Sequence, residues 1–521
     1  MKNKIVEKLE ENNLKFISIV TTIFMIMTHG YVYFNQIFSH DSMKIIYWGD
    51  WLMYDTVEIG RYIIPLYLLI RGKYYPPFLI GILSIIFMIL LIYYLVKIFD
   101  IKNKINIALL TGILSTSCTI TLLNATYIEY SDMYILSFLL AIISVYLLLK
   151  SKMKLRVPLS ILLLITSLGI YQTSLPIFVL LIIIYSIIEI IKKKDIKNTL
   201  KNFSINMIFG VVASGIYFGI YKLILKIFNV KASTCYNSIN ETAKYESIKD
   251  MIKMIINQYK TTYDFIIHPS TYYKTLSIII NTILIILVIL FFIVILFNRK
   301  NKYSIIHRIL VIISLATTTF VVNCTYFLSN GVLHQLMIFP MFLLYIIPII
   351  ILDKSQNDNI KEFDCTKNIT KKAYKYIAVG FALLIVSSII YSNQVYQKKQ
   401  MEFESTKLTM NRIVQNIENI DGYEIDKTQV VFIGYLSNGP LSLEKKELDY
   451  NSVGLQGKYS LTYYLNYEQF LNYYMGYPVK VLNEDKSKEF AEKEEVKNME
   501  PFPSKESCKI VDNVLVIKLS N

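Results

Sequence analysis

Residues 273–297 read YKTLSIIINTILIILVILFFIVILF, an apolar run with a single charge, Lys274, at its start. A helix rises 1.5 Å per residue, so about 20 apolar residues cross the roughly 30 Å hydrocarbon core of a bilayer. The run reads as a membrane-spanning helix. Comparable runs lie near 14–34, 75–97, 105–123, 131–149, 157–171, 173–191, 203–228, 308–328, 332–352 and 375–392. Over all 521 residues, 54% are hydrophobic and 18% charged, with a mean hydropathy of +0.44. Soluble domains average roughly 45–50% apolar and 25% charged. A soluble fold has no means of hiding this excess, and an α-helical polytopic membrane protein with about eleven transmembrane helices is expected.

The net charge of +15 does not point to nucleic acid, because Lys and Arg fall in short clusters between the apolar runs rather than on one face. They are a topology signal. Clusters at Lys2 to Lys8, Lys97 to Lys104, Lys150 to Arg156, Lys192 to Lys201, Arg299 to Arg308 and Lys354 to Lys375 alternate with connections near 124–130, 172 and 329–331 that contain neither residue. By the positive-inside rule the first set is cytoplasmic. The chain is thus expected in a membrane, with a cytoplasmic N-terminus and residues 393–521 outside. The first run lacks a small-residue cleavage site and reads as a retained span. Two runs, 157–171 and 173–191, are separated only by Tyr171-Gln172-Thr173 and read alternatively as one broken hairpin, with Pro176 disfavouring continuous helix. Cys118, Cys235, Cys324, Cys365 and Cys508 are scattered without metal-ligand spacing, so no disulfide framework and no zinc are expected.

Two divisions are expected: residues 1–392 as the membrane domain and 393–521 as an extracytoplasmic α+β domain. The latter opens with a helix over 400–418 and continues with β-rich stretches at Val430 to Leu436 and Lys509 to Leu519. The long outer connections, 35–74 and 229–272, exceed ordinary loop length and suggest function. In the first, residues 59–70 (IGRYIIPLYLLI) are apolar but too short to span, and read as an interfacial or re-entrant helix.

Ionisable groups are scarce within the runs, which locates the polar chemistry at the outer surface. Asp41, in Phe38-Ser39-His40-Asp41-Ser42, lies just past the first span, at the depth where an amphiphilic substrate places its polar part. It reads either as a general base or as the cap of a turn, with His40 beside it as a substrate contact. Arg61, with Lys44 and Arg71, offers cations for a lipid phosphate, Arg having a planar donor fork suited to phosphate oxygens. Glu129 and Asp132 at the second outer turn read either as ligands of sugar hydroxyls or as helix caps. Tyr171-Gln172 reads either as an aromatic face and an amide for sugar recognition or as a polar break between two spans, and His334-Gln335 either as a further phosphate contact or as structural. There is no Asp-x-Asp pair in the first outer loop, so no metal is expected. Without a Walker loop, a dinucleotide fingerprint, HExxH or GxSxG, no cofactor is expected and a sugar would come from a preactivated donor.

Asp41 in the first outer loop, the Gly60-Arg61 pair, the Ser167-Leu168-Gly169-Ile170-Tyr171-Gln172 segment, the exit through Gln394 to Gln400 and the closing Met499-Glu500-Pro501-Phe502-Pro503 resemble GtrII-type membrane glucosyltransferases, along nearly the whole chain. The resemblance implies a GT-C-like fold, a bacterial inner membrane as the location, an undecaprenyl-phosphate-linked sugar as donor and a surface glycan as acceptor. A donor-lipid synthase and a flippase would be functional partners. It further assigns Asp41 as general base and Arg61 to phosphate binding. Members often carry two adjacent acidic residues in the first loop, where this chain has His40-Asp41-Ser42, which leaves Glu129 or Asp132 to share the work. The alternative expected function is a flippase or transporter of lipid-linked sugar or polysaccharide. That alternative calls for broken or charged helices at mid-membrane.

Overall fold

The computed structural model describes residues 2–39, 42, 51–72, 74, 76–192, 195–233, 247–267, 271–298, 301, 303–328, 331, 334–356, 367–436 and 467–521. His40, Asp41, Lys44, Lys73, His268, Cys235, Cys365, Tyr463 and Tyr464 lie outside the described residues. In their described residues all eleven apolar runs are mainly helical: α1 (Lys2–Phe34), α4 (Pro77–Phe99), the pair α5 (Lys104–Ser115) and α6 (Cys118–Thr126), α7 (Ile128–Leu149), α8 (Arg156–Ile170), α9 (Ser174–Ile191), α10 (Ile196–Ile227), α12 (Lys274–Phe297), α13 (Ile305–Val321), α14 (Ile346–Gln356, preceded by short turns from Phe339) and α15 (Lys367–Glu418). Between them lie α2 (Trp51–Glu58), α3 (Ile64–Arg71) and α11 (Ile248–Ile267), the last on the long connection after α10. Among the described residues, nine helices are long and apolar enough to cross a bilayer, and α8 and α13 are shorter apolar helices.

Local chemistry sets the ends. The Asn103 side chain accepts from Ile105 N at the start of α5, Asp195 from Lys197 N before α10, and Ser304 from His307 N before α13. Each satisfies an amide that the first helical turn leaves without a partner. α4 stops at Asp100, which takes the left-handed conformation (φ 51°) that Asp tolerates better than most residues. Only Tyr127 separates α6 from α7, and residues 171–173 separate α8 from α9, so both pairs fold back as antiparallel neighbours.

The bundle is organised around α7, which packs on α4, α8 and α9 and buries most of its length. Hydrophobic burial cannot by itself hold helices together in lipid, so close small-residue contacts and interhelical hydrogen bonds do that work. Ser137 Oγ donates to Ser167 O (2.8 Å) and Ser167 Oγ to Ser137 O (2.7 Å), and one helical stretch further on Ser144 and Ser160 exchange bonds in the same way, at 3.0 Å each. Outward faces remain apolar: Ile208, Val211, Leu223 and Ile227 on α10, and Ile305, Ile306, Ile312 and Ile313 on α13 are exposed, as a lipid-facing belt requires. At the end of the bundle away from the tail, fully buried Asp353 accepts from the amides of Lys102 (3.1 Å) and Asn103 (2.8 Å), which ties α14 to the α4–α5 turn.

α15 runs through residue 393, where the composition turns polar, without a break to Glu418. Beyond it is a four-stranded sheet of order β2-β1-β4-β3, with β1 Gln429–Ile433, β2 Lys480–Val481, β3 Cys508–Val511 and β4 Val514–Lys518. β1 is parallel to β2 and β4, while β3 and β4 form a hairpin through Asp512-Asn513, both with positive φ as a two-residue turn of that hand demands. Helix α16 (Glu484–Ala491) packs on β1. The expected small C-terminal α+β region is present.

Candidate active site

At the tail end of the bundle, two arginines of the connection between α1 and α4 enter the protein. Arg71, the last residue of α3, donates from Nη1 to Asp132 Oδ1 (2.7 Å) and to the Glu129 carbonyl (2.8 Å). Its side chain is 2% exposed and that of Asp132 is fully buried. Tyr67, one helical turn before Arg71, donates its hydroxyl to Asp132 Oδ2 (2.7 Å). Burial, and then the neighbouring carboxylate, raise the Tyr67 phenol above its ordinary value, so it remains a donor. Both oxygens of Asp132 are therefore engaged, and the carboxylate orients Arg71. Nε and Nη2 of Arg71 are buried without a hydrogen-bond partner among the described residues. Buried donors of that kind are rare in proteins and call for water or a ligand.

Arg61 lies ten residues earlier in the chain, in the turn between α2 and α3. Its Nη1 donates to the Tyr134 hydroxyl (2.5 Å), and its guanidinium lies 5.5 Å from the Tyr134 ring centroid and 5.1 Å from that of Tyr171. Tyr134 and Tyr171 stack nearly parallel, 4.1 Å apart, and Tyr130 stacks with Tyr134 at 5.7 Å. With the two rings 4.1 Å apart the guanidinium lies at the hydroxyl rim of the stack, where its hydrogen bond to Tyr134 Oη replaces part of the lost hydration. Arg61 Nε, too, is buried without a partner among the described residues. Gln172 closes this cluster from α8–α9: its Nε2 donates to Ile59 O and Tyr217 Oη, both at 2.9 Å, and Tyr217 Oη donates to Gly60 O (3.0 Å).

A close approach of α8 makes this possible. The amide of Ile63 donates to Gly169 O (2.9 Å), and a methyl group built on Gly169 would lie 2.6 Å from Ile63 Cγ1 and 3.0 Å from the Tyr62 ring. Gly169→Ala is expected to cost about 1–3 kcal/mol through overpacking, and to lower donor affinity by shifting Arg61. Thermal unfolding in detergent, together with KM for the donor, checks both; an unchanged KM would separate Gly169 from the site.

The sequence-expected residues thus fall into one neighbourhood in part. Arg61, Tyr171 and Gln172 form one cluster and Asp132 belongs to the adjoining one with Arg71. Glu129 and Asp132 are not turn residues: the turn is Tyr127 alone, so both sit in the first turns of α7 and are fully buried. His334 packs edge-on against Tyr127 (5.9 Å), and its Nδ1 accepts from Leu336 N. The Gln335 carbonyl accepts from Thr119 Oγ1 (3.1 Å), while its buried Oε1 has no partner among the described residues. Asp41, His40 and Lys44 lie outside the described residues, but their flanks are pinned here. Ser39 Oγ donates to Thr126 O (2.5 Å), Ser39 N to Ser42 Oγ (2.7 Å) and Ser42 N to Ser39 Oγ (3.1 Å). Thr126 immediately precedes Tyr127.

Sequence reasoning missed Tyr67, Tyr130, Tyr134 and Tyr217. For Tyr130 and Tyr134 a signal existed: they are four apart and share a helix face once α7 starts at 128 rather than 131. Tyr217 stands in an apolar run and carries no such signal.

Fold and site define a multi-pass membrane protein with a buried arginine, carboxylate and tyrosine site at the end of the bundle from which the tail emerges. The family model described as Glucosyl transferase GtrII matches residues 30–345, and the chain belongs to that family. The matched region contains every site residue above. The protein is accordingly a membrane glucosyltransferase. Among curated proteins and among solved structures the chain has no match.

Proposed function

We propose that the protein transfers glucose from an undecaprenyl-phosphate-linked donor to a cell-surface glycan, at the outer face of the bacterial inner membrane. The observation that carries the donor class is the pair of buried arginines with N–H groups that have no partner among the described residues, at one end of a lipid-facing bundle. A phosphate at that depth, attached to a lipid, is the anion that both reaches them and needs them. The positive-inside pattern supports an outward-facing site and tail.

In this reading Asp41 accepts the proton of an acceptor hydroxyl. The freed oxygen bonds to C1 of the sugar as the bond from C1 to the phosphate oxygen breaks, and the electron pair leaves with the lipid phosphate. Arg71 and Arg61 stabilise the charge that grows on that phosphate, which is where preorganised donors accelerate a reaction most. Asp132 and Tyr67 hold Arg71 in place. Support for Asp41 is the anchoring of Ser39 to the end of α6 and of Ser42 to Ser39, beside the start of α7 that carries Glu129 and Asp132. Tyr171, Gln172, His334 and Gln335 then serve the sugar and phosphate, with His40 and Lys44 at the rim. The division at residue 392 assigns sugar transfer to the membrane part and a covering role to the tail.

The purified protein in nanodiscs is expected to transfer labelled glucose from polyprenyl-phosphate-glucose to a polysaccharide acceptor, and not from UDP-glucose. Transfer from the nucleotide sugar alone would sink the donor assignment. A flippase would instead move lipid-linked sugar across vesicles without forming a glycosidic bond.

A further inference from the structure

Phe38 precedes Asp41 by three residues and is buried, although it lies beyond the end of α1. Residues 35–39 leave α1 without regular structure, so contacts with other elements fix their course. Those around Phe38 come from the far end of the chain. Phe403 on α15 lies 5.2 Å from it, ring centre to ring centre, and Tyr474 of the tail lies 5.2 Å from both. The Tyr474 ring stands edge-on to the other two, at 70° and 73°, an arrangement that aromatic quadrupoles favour.

The two rings from the far end have supports of their own. On α15, Ser392, Tyr396 and Phe403 recur at spacings of four and seven and share one face. Ser392 and Thr121 share a hydrogen bond (2.7 Å), and Tyr396 bonds His29 (2.6 Å), so α15 is tied to α6 and α1 just before it meets Phe38. Tyr474 closes a turn of π-helix, Phe470–Tyr474, in which Met475 N donates to Phe470 O (3.0 Å). Such turns are rare and gather at functional positions. This one is fixed to the sheet. Tyr467 stacks on Phe432 of β1 (4.1 Å), Phe470 is fully buried, and the Asn472 side chain accepts from Val479 N (2.6 Å) and donates to Val479 O (3.0 Å). The chain leaving α1 is thus gripped at Phe38 by the tail and at Ser39 by the end of α6.

We infer that the tail sets the position of the Asp41 segment through this three-ring contact, which makes Phe38, Phe403 and Tyr474 positioning residues for the transfer. The inference rests on the reading of Asp41 as general base. It gives the tail a task beyond covering the site. A base must be held to about 0.5 Å of its productive place, and side chains locked by packing are what hold it. Phe403 and Tyr474 both lie beyond the region matched by the family model, residues 30–345, so the contact joins that region to the rest of the chain.

The test uses the full-length protein in nanodiscs. Tyr474→Ala is expected to lower kcat about tenfold or more with KM for the donor near wild type, since a displacement of about 1 Å is enough for such a loss. Tyr474→Phe, which keeps the ring, should restore kcat. Phe38→Ala combined with Tyr474→Ala should lose no more than the worse of the two alone, because both act through one contact. Fully additive losses, or an unchanged kcat in folded Tyr474→Ala, overturn the inference. Phe403→Leu is the milder variant if Tyr474→Ala does not fold. A spin label on Gln36→Cys, an exposed position two residues before Phe38, gives a readout without turnover in a cysteine-free background. Its spectrum should sharpen when Tyr474→Ala is added and stay as it was with Tyr474→Phe; an unchanged spectrum in Tyr474→Ala also overturns the inference. If Asp41→Asn retains transfer, the reading of Asp41 fails by itself, and the label still decides whether the tail holds this segment.

Discussion

Asp41→Asn is expected to lower glucose transfer by about 10²–10⁴-fold, the usual contribution of a positioned general base. The substitution keeps the shape and the hydrogen-bonding capacity of the side chain and removes only its ability to take a proton. Expression, detergent melting and donor binding should stay near wild type, because Ser39 and Ser42 on either side hold their own hydrogen bonds. The loss should appear in kcat with little change in KM for the donor. The measurement is transfer from polyprenyl-phosphate-glucose at saturating acceptor. Retained turnover would remove Asp41 from the reaction and move the base to Glu129, the buried carboxylate in the first turn of α7.

The second large effect concerns Arg71. Arg71→Met strands the Asp132 carboxylate, whose side chain is fully buried and whose only described cation is Arg71 at 2.7 Å. Breaking a buried pair from one side typically costs about 3–5 kcal/mol, because the remaining charge stays desolvated. Replacing both partners with apolar residues of similar volume is often close to neutral. Arg71→Met combined with Asp132→Leu is therefore expected to regain most of the stability lost by the single variant, read as the midpoint of unfolding in SDS titration. Transfer should remain lost in both, since the Nε and Nη2 donors offered to the phosphate are gone. A stable, active double variant would show that the pair serves the fold alone. The comparison separates a role in chemistry from a role in packing, which neither single substitution does.

The arrangement also bears on the rival function. Transport at mid-membrane needs polar or broken helices there. The bundle does contain a buried polar seam: His29 Nδ1 shares a hydrogen with Tyr396 Oη (2.6 Å), its Nε2 bonds Ser115 O (2.8 Å), and α5 and α6 are interrupted at Thr116-Ser117. These groups bond one another across α1, α5 and α15. They act as interhelical ties of the kind that Ser137 and Ser167 form between α7 and α8.

Much of this protein was legible without coordinates, for a physical reason. A bilayer leaves a chain few options: each crossing must be a helix of about 20 apolar residues or a closed barrel strand. Runs such as 273–297 therefore announce themselves, and the basic clusters between them order the connections. Residues 59–70 were recognisable as too short to span, and the helix found there, α3, is eight residues long. The change to polar composition and the two β-rich stretches likewise foretold the tail sheet, since alternation and β-branched residues are local signals.

The site was legible only as a set of residue types. Arg61 and Arg71 read as phosphate ligands from their chemistry, but nothing local showed that Asp132, sixty-one positions from Arg71, would occupy one of them. Nor did anything local show that the stacked Tyr134 and Tyr171 would lie beside the other. Those pairings depend on how closely α8 approaches the α2–α3 turn at Gly169, and on the single residue, Tyr127, that delivers Glu129 and Asp132 into a helix rather than a loop. Hydropathy is a sum over neighbours in the chain, so the sequence by itself determined the spans, their order and the polar tail. Which buried charges meet is settled by packing between helices remote in sequence, and that was decided only by the tertiary structure.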